Sequence, residues 1–385
     1  MSKASGRTAP SPPPVPEAAR PPDNRYHTLA EIAAKAGVHV TTVSLALRDH
    51  PSIPPCTRAR IRQVAEAIGY RRDPLLDALN SHRARQCKHP HSTGSAFVVH
   101  SGAARLFAGS PYQPLVWEGA RAAAEAHGHG LEIFQVGRGH LAPARLNSIL
   151  RARGVTGILL STFEIDINQL DLDWSQFAAI KIECLHLSPH LDCVSNDQLQ
   201  VARLAVRRLR GLGYRRIGLA TSHEDQTRLG ESFGMGVLIE QAALCESDCV
   251  PPLFFALEDV PRLPELLRAW VASNHVDAVI SNWPELFDAF AKAGMSIPGD
   301  VAFAPLDVQP TMGQVAGVQQ NHRLVGQRAM EQLAIMIESN RRGVPDAQTI
   351  TYIPGYWQDG YTAPARRAER ARQLSRAIMI EGRML

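Results

Sequence analysis

The chain has 385 residues, 45 % hydrophobic, 20 % charged and 6 % aromatic. That is enough apolar content for two or three packed domains, and too mixed for a coiled-coil rod, a collagen-like repeat or a wholly disordered chain. The net charge of +4 hides an uneven distribution: residues 1–90 hold 14 Lys/Arg against 7 Asp/Glu, residues 91–363 hold 21 against 28, and residues 364–385 hold 6 against 2. A basic end on an acidic body points to an arm that meets a polyanion, attached to a body that does not.

Residues 1–25 are proline-rich and carry no apolar stretch of the kind that leads a secreted chain, so they read as a disordered tail on a cytoplasmic protein. No run approaches the ~20 apolar residues that span a bilayer. The six cysteines (Cys56, Cys87, Cys184, Cys193, Cys245 and Cys249) form no CxxC pair, so no metal site and no disulfide framework is expected. Phosphate-cradling glycine motifs are missing as well, which leaves no cofactor to expect: VGRGH holds only two glycines of the dinucleotide pattern.

From Thr28 the sequence tightens into three short helices. Leu29, Ile32, Ala33 and Ala36 form one apolar helical face, and Thr28 with Glu31 makes a capping box at its start. Gly37-Val38 supplies a tight turn. A second helix, about His39 to Leu47, turns Val43, Ala46 and Leu47 inward and Thr41, Leu45 and Arg48 outward. A third follows Pro54-Pro55, with Ile61, Val64, Ala65 and Ile68 inside and Arg58, Arg60 and Arg62 outside, and stops at Gly69. Two helices joined by a glycine turn, the second with a small polar outer face, form a helix-turn-helix that can enter a major groove.

TLAEIAAKAGVHVTTVSLALRDHPSIPPCTRARIRQVAEAIGYRRDPLLDAL resembles, over about fifty residues without a gap, the N-terminal module of the LacI/GalR (lac-repressor) family of transcription factors. The resemblance implies that residues 26–72 form the DNA-binding domain. Val40, Thr41 and Leu45 would meet base edges, Thr42 and Ser44 would touch phosphates, and Arg48 would lie on the same face. Leucine at 45 departs from the family's hydrogen-bonding residue; it can meet a thymine methyl but makes no bidentate contact to guanine. Residues 73–93 would hold a hinge helix and linker, with Leu76 and Leu79 in the minor groove and Leu79 as the wedge between base pairs. Asp77 is a further departure, since a carboxylate there approaches two phosphate backbones.

Beyond residue 94, apolar runs (SAFVVH, GLEIFQV, TGILLS, AAIKIEC, RIGLAT, DAVISN, VAFAPL, TITYIP) alternate with helical patterns at Leu115–His127, Asp197–Leu212, Leu263–Ser273 and Arg323–Ser339. Such alternation over 270 residues predicts an α/β core of parallel sheets with helices on both faces, in two linked halves. The same order resembles the family's effector core, which is periplasmic-binding-protein-like and two-lobed. On that basis the core is expected at 94–363, with one lobe at 94–191 plus 317–343 and the other at 192–316 plus 344–363. The basic stretch 364–385 reads as a frayed helix or disordered tail.

Ligands in such sheets bind at the carboxyl ends of strands, between the halves. The resemblance puts Asp307 where the family anchors a ligand hydroxyl or amine; a loop charge or helix cap is the other reading. Asp197 is either a ligand residue at the crossover or the cap of the helix it starts. Arg228 lies near the family's ligand-gripping arginine, or is a surface arginine. Asn282 and Trp283 close a strand; Trp283, Tyr112 and Trp117 either stack on a sugar or belong to the core. The implied function is a transcriptional repressor that binds a near-palindromic operator in double-stranded DNA as a homodimer, controlled by a sugar-like small molecule in the cleft.

An enzyme is the competing expectation. Gly230-Glu231-Ser232-Phe233-Gly234 satisfies G-x-S-x-G, and Asp307 and His322 follow in the order of an α/β-hydrolase triad. The polar SHEDQTRL upstream reads as a loop, not the apolar strand that such an elbow needs.

Overall fold

The structure is a computed structural model, and it describes residues 28–47, 50, 52–70, 94–100, 112–137, 141–161, 163, 167–309 and 312–366. The expected proline-rich tail, the hinge with Leu76 and Leu79, Arg48 and the C-terminal tail beyond 366 lie outside these residues. The chain forms two compact units, divided after Asp77.

The N-terminal unit holds three helices: α1 (Leu29–Ala36), α2 (Val40–Leu47) and α3 (Pro55–Ala67). The Thr28 hydroxyl accepts from the Glu31 amide at 3.3 Å, as the capping pattern requires. Gly37 ends α1 at φ +63°, a left-handed backbone that glycine adopts freely. Ile32, Ala33, Ala36, Val43, Ala46, Ile53, Ile61 and Ala65 make its core.

The second unit has two lobes. Lobe 1 is built on a six-stranded parallel sheet of β1 (Gly94–His100), β2 (Gly130–Val136), β3 (Val155–Ser161), β4 (Ala178–Ile182), β5 (Cys193–Asn196) and β11 (Ile350–Ile353), in the order β11-β5-β4-β3-β1-β2. Successive residues serve opposite faces. Phe97, Val99, Leu159 and Ile180 pack under α4 (Gln113–His127) and α11 (His322–Glu338), while Ala96, Val98, Ile158 and Leu160 meet Leu146 and Leu150 of α5 (Pro143–Ala152).

Lobe 2 is built on a four-stranded parallel sheet, β7-β6-β8-β9, of β6 (Ile217–Ser222), β7 (Leu253–Phe255), β8 (Ala278–Ser281) and β9 (Ala302–Pro305). One face packs on α6 (Gln198–Leu212) and α8 (Ser232–Gln241), the other on α9 (Leu263–Ser273) and α10 (Leu286–Lys292). An antiparallel pair, β10 (Gly317–Gln319) with β12 (Tyr356–Gln358), joins the α6 face. The α/β architecture with helices on both sheet faces is thus as the sequence predicts.

Two expectations are corrected here. The lobe boundaries shift, because β5 and β11 pair in register within the lobe 1 sheet, Ile350 against Cys193 and Ile353 against Asn196. Residues 192–196 and 350–353 therefore belong to lobe 1, and β10 with Trp357 belongs to lobe 2. The chain crosses between lobes at Asp197, at Gln320–Asn321 and at Pro354–Gly355. The segment read as a loop is a helix, α7 (His223–Arg228). Ser222 caps it by accepting from the Asp225 amide at 3.0 Å, with Glu224 and Asp225 in its first turn and Arg228 in its last. That order of charge suits the helix dipole.

In lobe 1, α4 and α11 touch backbone to backbone. A Cβ at Gly119 would fall far inside van der Waals contact with the Arg323 carbonyl oxygen, and one at Gly326 would do the same with Val116. No side-chain rotation can relieve a clash with backbone. Gly119→Ala and Gly326→Ala are each expected to cost about 1–3 kcal/mol by overpacking, read as a lower denaturant midpoint of the core; unchanged midpoints would show that the two helices can separate freely.

Candidate functional site

The cleft between the lobes is lined where strands end. Glu183 follows β4, Asn196 ends β5, Ser222 ends β6 and leads into α7, Asn282 and Trp283 follow β8, and Asp307 follows β9. Two helix starts face them: Tyr112, the residue before α4, and His322, the first of α11. Parallel strands all deliver their carboxyl ends to one edge, so residues distant in sequence converge there.

Asp225 on α7 gathers the first group. Its Oδ1 accepts from Arg228 Nη2 at 2.5 Å, and its Oδ2 accepts from Asn282 Nδ2 and from Trp283 Nε1, both at 2.7 Å. Thr221 Oγ1 donates to Asn282 Oδ1 at 2.5 Å and fixes that amide. The Trp283 ring stands edge-on to Phe255, with centroids 5.1 Å apart. The Arg228 and Asp225 side chains are 20 % and 15 % exposed. Burial disfavours the Asp225 carboxylate, but the charge and hydrogen bond of Arg228, with Asn282 and Trp283, outweigh it and hold the group below its ordinary value. Burial likewise opposes the Arg228 charge, and Tyr112, Asp225 and Glu183 more than compensate. The charge of Arg228 also acts on the Tyr112 phenol, which couples a lobe 2 cation electrostatically to a lobe 1 side chain.

The second group centres on His322. Its Nε2 lies 2.9 Å from Asp307 Oδ2, and its Nδ1 lies 3.2 Å from Asn196 Nδ2. The Asn196 amide is oriented from both ends: Nδ2 donates to Glu183 Oε1 at 2.8 Å, and Oδ1 accepts from the Asn321 amide at 3.1 Å. Asn196 therefore offers a donor to Nδ1, and the tautomer protonated on Nε2 satisfies every partner. Burial lowers the affinity of the ring for a second proton; the Asp307 carboxylate, through charge and hydrogen bond, and Glu183 outweigh it and lift the ring above its ordinary value. Gln309 Nε2 supports Asp307 Oδ2 from 2.8 Å. The Tyr112 ring lies over His322, with centroids 5.1 Å apart and planes 29° from parallel. Tyr112 thus belongs to both groups.

Glu183 holds φ +56° at the end of β4, a left-handed conformation that costs a β-carbon residue free energy and recurs at functional sites. Near the crossovers, Gln198 and Gln320 exchange two amide hydrogen bonds of 3.0 and 2.9 Å. A cavity of about 500 Å³ opens beside them, with Asp307, Gln309, Gln320, His322 and Tyr356 in its wall; that volume suits a small organic ligand.

Of the residues expected to meet an effector, Tyr112, Arg228, Asn282 and Trp283 come together in the first group, and Asp307 anchors the second. Asp197 stands apart: its Oδ1 accepts from the Gln200 amide at 3.0 Å and caps α6. Trp117 packs edge-on against Phe97 in lobe 1. Asp225, Glu183 and Asn196 escaped the sequence reading. Of these only Asp225 left a signal, a carboxylate three residues before an arginine in a helix-capping pattern. The hydrolase triad is not assembled, because Ser232 Oγ donates to the Leu229 carbonyl at 2.7 Å while both His322 nitrogens face other partners. Among the described residues no group of three or more His, Cys, Asp or Glu could hold a metal ion, and no helix is long and apolar enough to cross a membrane.

On the N-terminal unit, Val40 and Thr41 of α2 are exposed, and Thr42 and Ser44 are half-buried. Leu45 differs from its expected outward position: it is half-buried and packs on the helical core, where an aliphatic side chain gains more than in water. His39, which the sequence reading left without a role, caps α2. Its Nδ1 accepts from the Thr41 amide at 3.3 Å and lies 3.0 Å from the Thr41 hydroxyl, fixing the orientation of an expected base-reading residue.

The acid behaviour of the first group follows from its charges. A carboxylate held below the ordinary aspartate value adds stability that is complete above about pH 4 and lost as pH falls through the lower, folded value. Asp225→Asn should therefore lower the denaturant midpoint at neutral pH, and the gap to the wild type should narrow on acidification below about pH 4. A gap that stays constant from pH 7 to pH 3 would mean that the carboxylate charge contributes nothing.

Known proteins match both parts of the chain. The family described as "Bacterial regulatory proteins, lacI family" matches residues 28–73, and "Periplasmic binding proteins and sugar binding domain of LacI family" matches residues 108–233. The HTH-type transcriptional regulator GntR of Pseudomonas aeruginosa is 26 % identical over 329 residues, 80 % of this chain and 89 % of that protein. Among solved structures, the transcriptional regulator CelR in complex with cellobiose shares the fold at a TM-score of 0.54 and 20 % identity, over 87 % of this chain and all but 1 % of the other. The lac repressor dimer bound to operator and the anti-inducer ONPF shares it at 0.52 and 14 % identity, over 89 % of this chain and 100 % of that one. The helix-turn-helix segment, residues 28–73, thus matches the lacI family of bacterial regulatory proteins, and residues 108–233 of the core match the sugar-binding domain family of the same regulators.

Proposed function

We propose that the chain is a cytoplasmic, ligand-responsive repressor: α1–α3 bind operator DNA, two copies act together, and a sugar or sugar derivative in the cleft sets the DNA affinity. The observation that carries this reading is the set of polar contacts that bridge the lobes. His322 bonds Asp307 from lobe 1 to lobe 2, and Arg228 couples electrostatically to the Tyr112 phenol, through groups that a polyhydroxyl ligand could engage instead. A ligand that replaces them changes the balance between lobe arrangements by no more than its differential affinity for them. The cellobiose held by the structurally similar CelR supports a sugar as the class. Val40, Thr41, Thr42 and Ser44 on α2 are taken as the DNA contacts, joined by Leu45, Arg48, Leu76 and Leu79. Tyr112, Arg228, Asn282, Trp283 and Asp307 are taken as the effector contacts, with Asp197 moved to helix capping.

Two measurements test the reading. On DNA selected from a random pool, the full chain should bind with an affinity that falls linearly in log salt, as phosphate neutralisation requires. A chain starting at residue 94 should not bind; equal binding by both would refute the role of the arm. A thermal-shift screen of sugars should find a stabilising ligand, and Arg228→Ala should weaken it at least about tenfold, since a hydrogen bond to a charged group is worth about 1.5–3 kcal/mol. Undiminished affinity in that variant would remove Arg228 from the site.

A further inference from the structure

Three donors expected to grip a ligand all point at one internal group. Arg228, Asn282 and Trp283 give N–H bonds of 2.5, 2.7 and 2.7 Å to the two oxygens of Asp225. A guanidinium, an amide and an indole converging on a pair of oxygens form a receptor for a carboxylate or a similar anion. Here the anion is supplied by the chain itself, three residues before the arginine on the same short helix. Thr221 and Phe255 hold Asn282 and Trp283 in place from behind, so the triangle is braced from outside the carboxylate it holds.

The charges nearby reinforce this. Arg228 faces two carboxylates, Asp225 and Glu183, and the third carboxylate of the cleft, Asp307, pairs with His322. With Asp225 on the guanidinium, Glu183 on Asn196 and Asp307 on His322, the donors of both groups are already turned onto carboxylates. An incoming carboxylate or phosphate must displace Asp225 from its donors and then remain among like charges in a partly buried site, where screening is weak. A hydroxyl meets no such opposition; it can donate to the carboxylates and accept from Tyr112 or Arg228.

We infer that Asp225 is an internal occupant of an anion subsite, which makes the cleft selective for uncharged polyhydroxyl ligands and closes it to sugar acids and sugar phosphates. The inference rests on the reading of the cleft as the effector site. It assigns specificity to a residue that touches the ligand's partners, with no need for it to touch the ligand.

The test uses the full chain as wild type, Asp225→Ala and Asp225→Ala/Arg228→Ala, titrated at constant ionic strength with sodium acetate, D-glucuronate and D-glucose, and read by melting temperature and calorimetry. The wild type should show no saturable response to acetate or glucuronate. Asp225→Ala should melt lower, regain stability as acetate fills the vacated space, and bind glucuronate about ten- to a hundredfold more tightly than the wild type, as charge-assisted bonds to three donors imply. The double variant should lose both responses. Glucuronate binding as tight in the wild type as in Asp225→Ala, or a folded Asp225→Ala with no carboxylate response, would overturn the inference. Should Asp225→Ala not fold, Asp225→Asn removes the charge while keeping the shape, and the same gain in glucuronate affinity decides. Failure of every neutral sugar to bind the wild type would count against the sugar reading alone, because acetate binding by Asp225→Ala does not depend on it.

Discussion

The arrangement of the core depends on the contact between α4 and α11 at Gly119 and Gly326. With no side chain at either position, the two helix backbones approach until the carbonyls of Val116 and Arg323 occupy the space that a Cβ would need. That contact fixes the separation of two helices whose first turns lie at the cleft. Tyr112 precedes one helix and His322 begins the other, and their rings lie 5.1 Å apart. A wider crossing would part the rings, and with them the link between the Arg228 group and the Asp307 group. The position of the ligand-facing side chains is therefore set one to two turns away, by residues that touch no ligand.

From that anchor the polar network reads as one system divided between two rigid halves. Lobe 1 contributes Tyr112, Glu183, Asn196 and His322; lobe 2 contributes Asp225, Arg228, Asn282, Trp283 and Asp307. Each half is internally braced, Asn196 by Glu183 and Asn321, Asn282 by Thr221 and Asp225. Among the described residues, the side-chain bond of this network that crosses between the halves joins His322 to Asp307, and it can break while the contacts within each half stay intact. That is the condition for a two-state element: stiff parts, and a small set of contacts whose exchange with a ligand shifts the balance between arrangements.

Much of this was legible in the sequence, and the reasons differ by residue. The first helix was readable because its stop and start signals are local: Thr28 caps, Gly37 turns left-handed, and the apolar face repeats within one helix. Most strands of the two sheets are legible as apolar runs, but β5 and β7 are too short to show as runs, and the pairing of β11 with β5 has no local mark in the sequence. The α7 segment looked like a loop since its stability comes from a cap and a charge gradient, without an apolar face. Arg228 and Asp307 could be named by resemblance, while Asp225 could not, because its meaning lies in Asn282 and Trp283, nearly sixty residues away in sequence. Asp197 allowed two readings, and the 3.0 Å bond to the Gln200 amide decides for the cap.

The uneven charge with which the sequence begins also separates the two activities physically. The excess of basic residues lies in the first 90 positions, and attraction of such residues to phosphates is screened within about 10 Å at 0.1 M salt. The charges of the cleft are paired at 2.5–2.9 Å and largely shielded from solvent, a range over which screening by mobile ions is slight. Salt therefore acts on the affinity of the arm for DNA while leaving ligand discrimination in the core nearly untouched. The chain's small net charge is the sum of a basic first stretch and an acidic body, whereas the charges of the cleft are matched to one another and work only on contact.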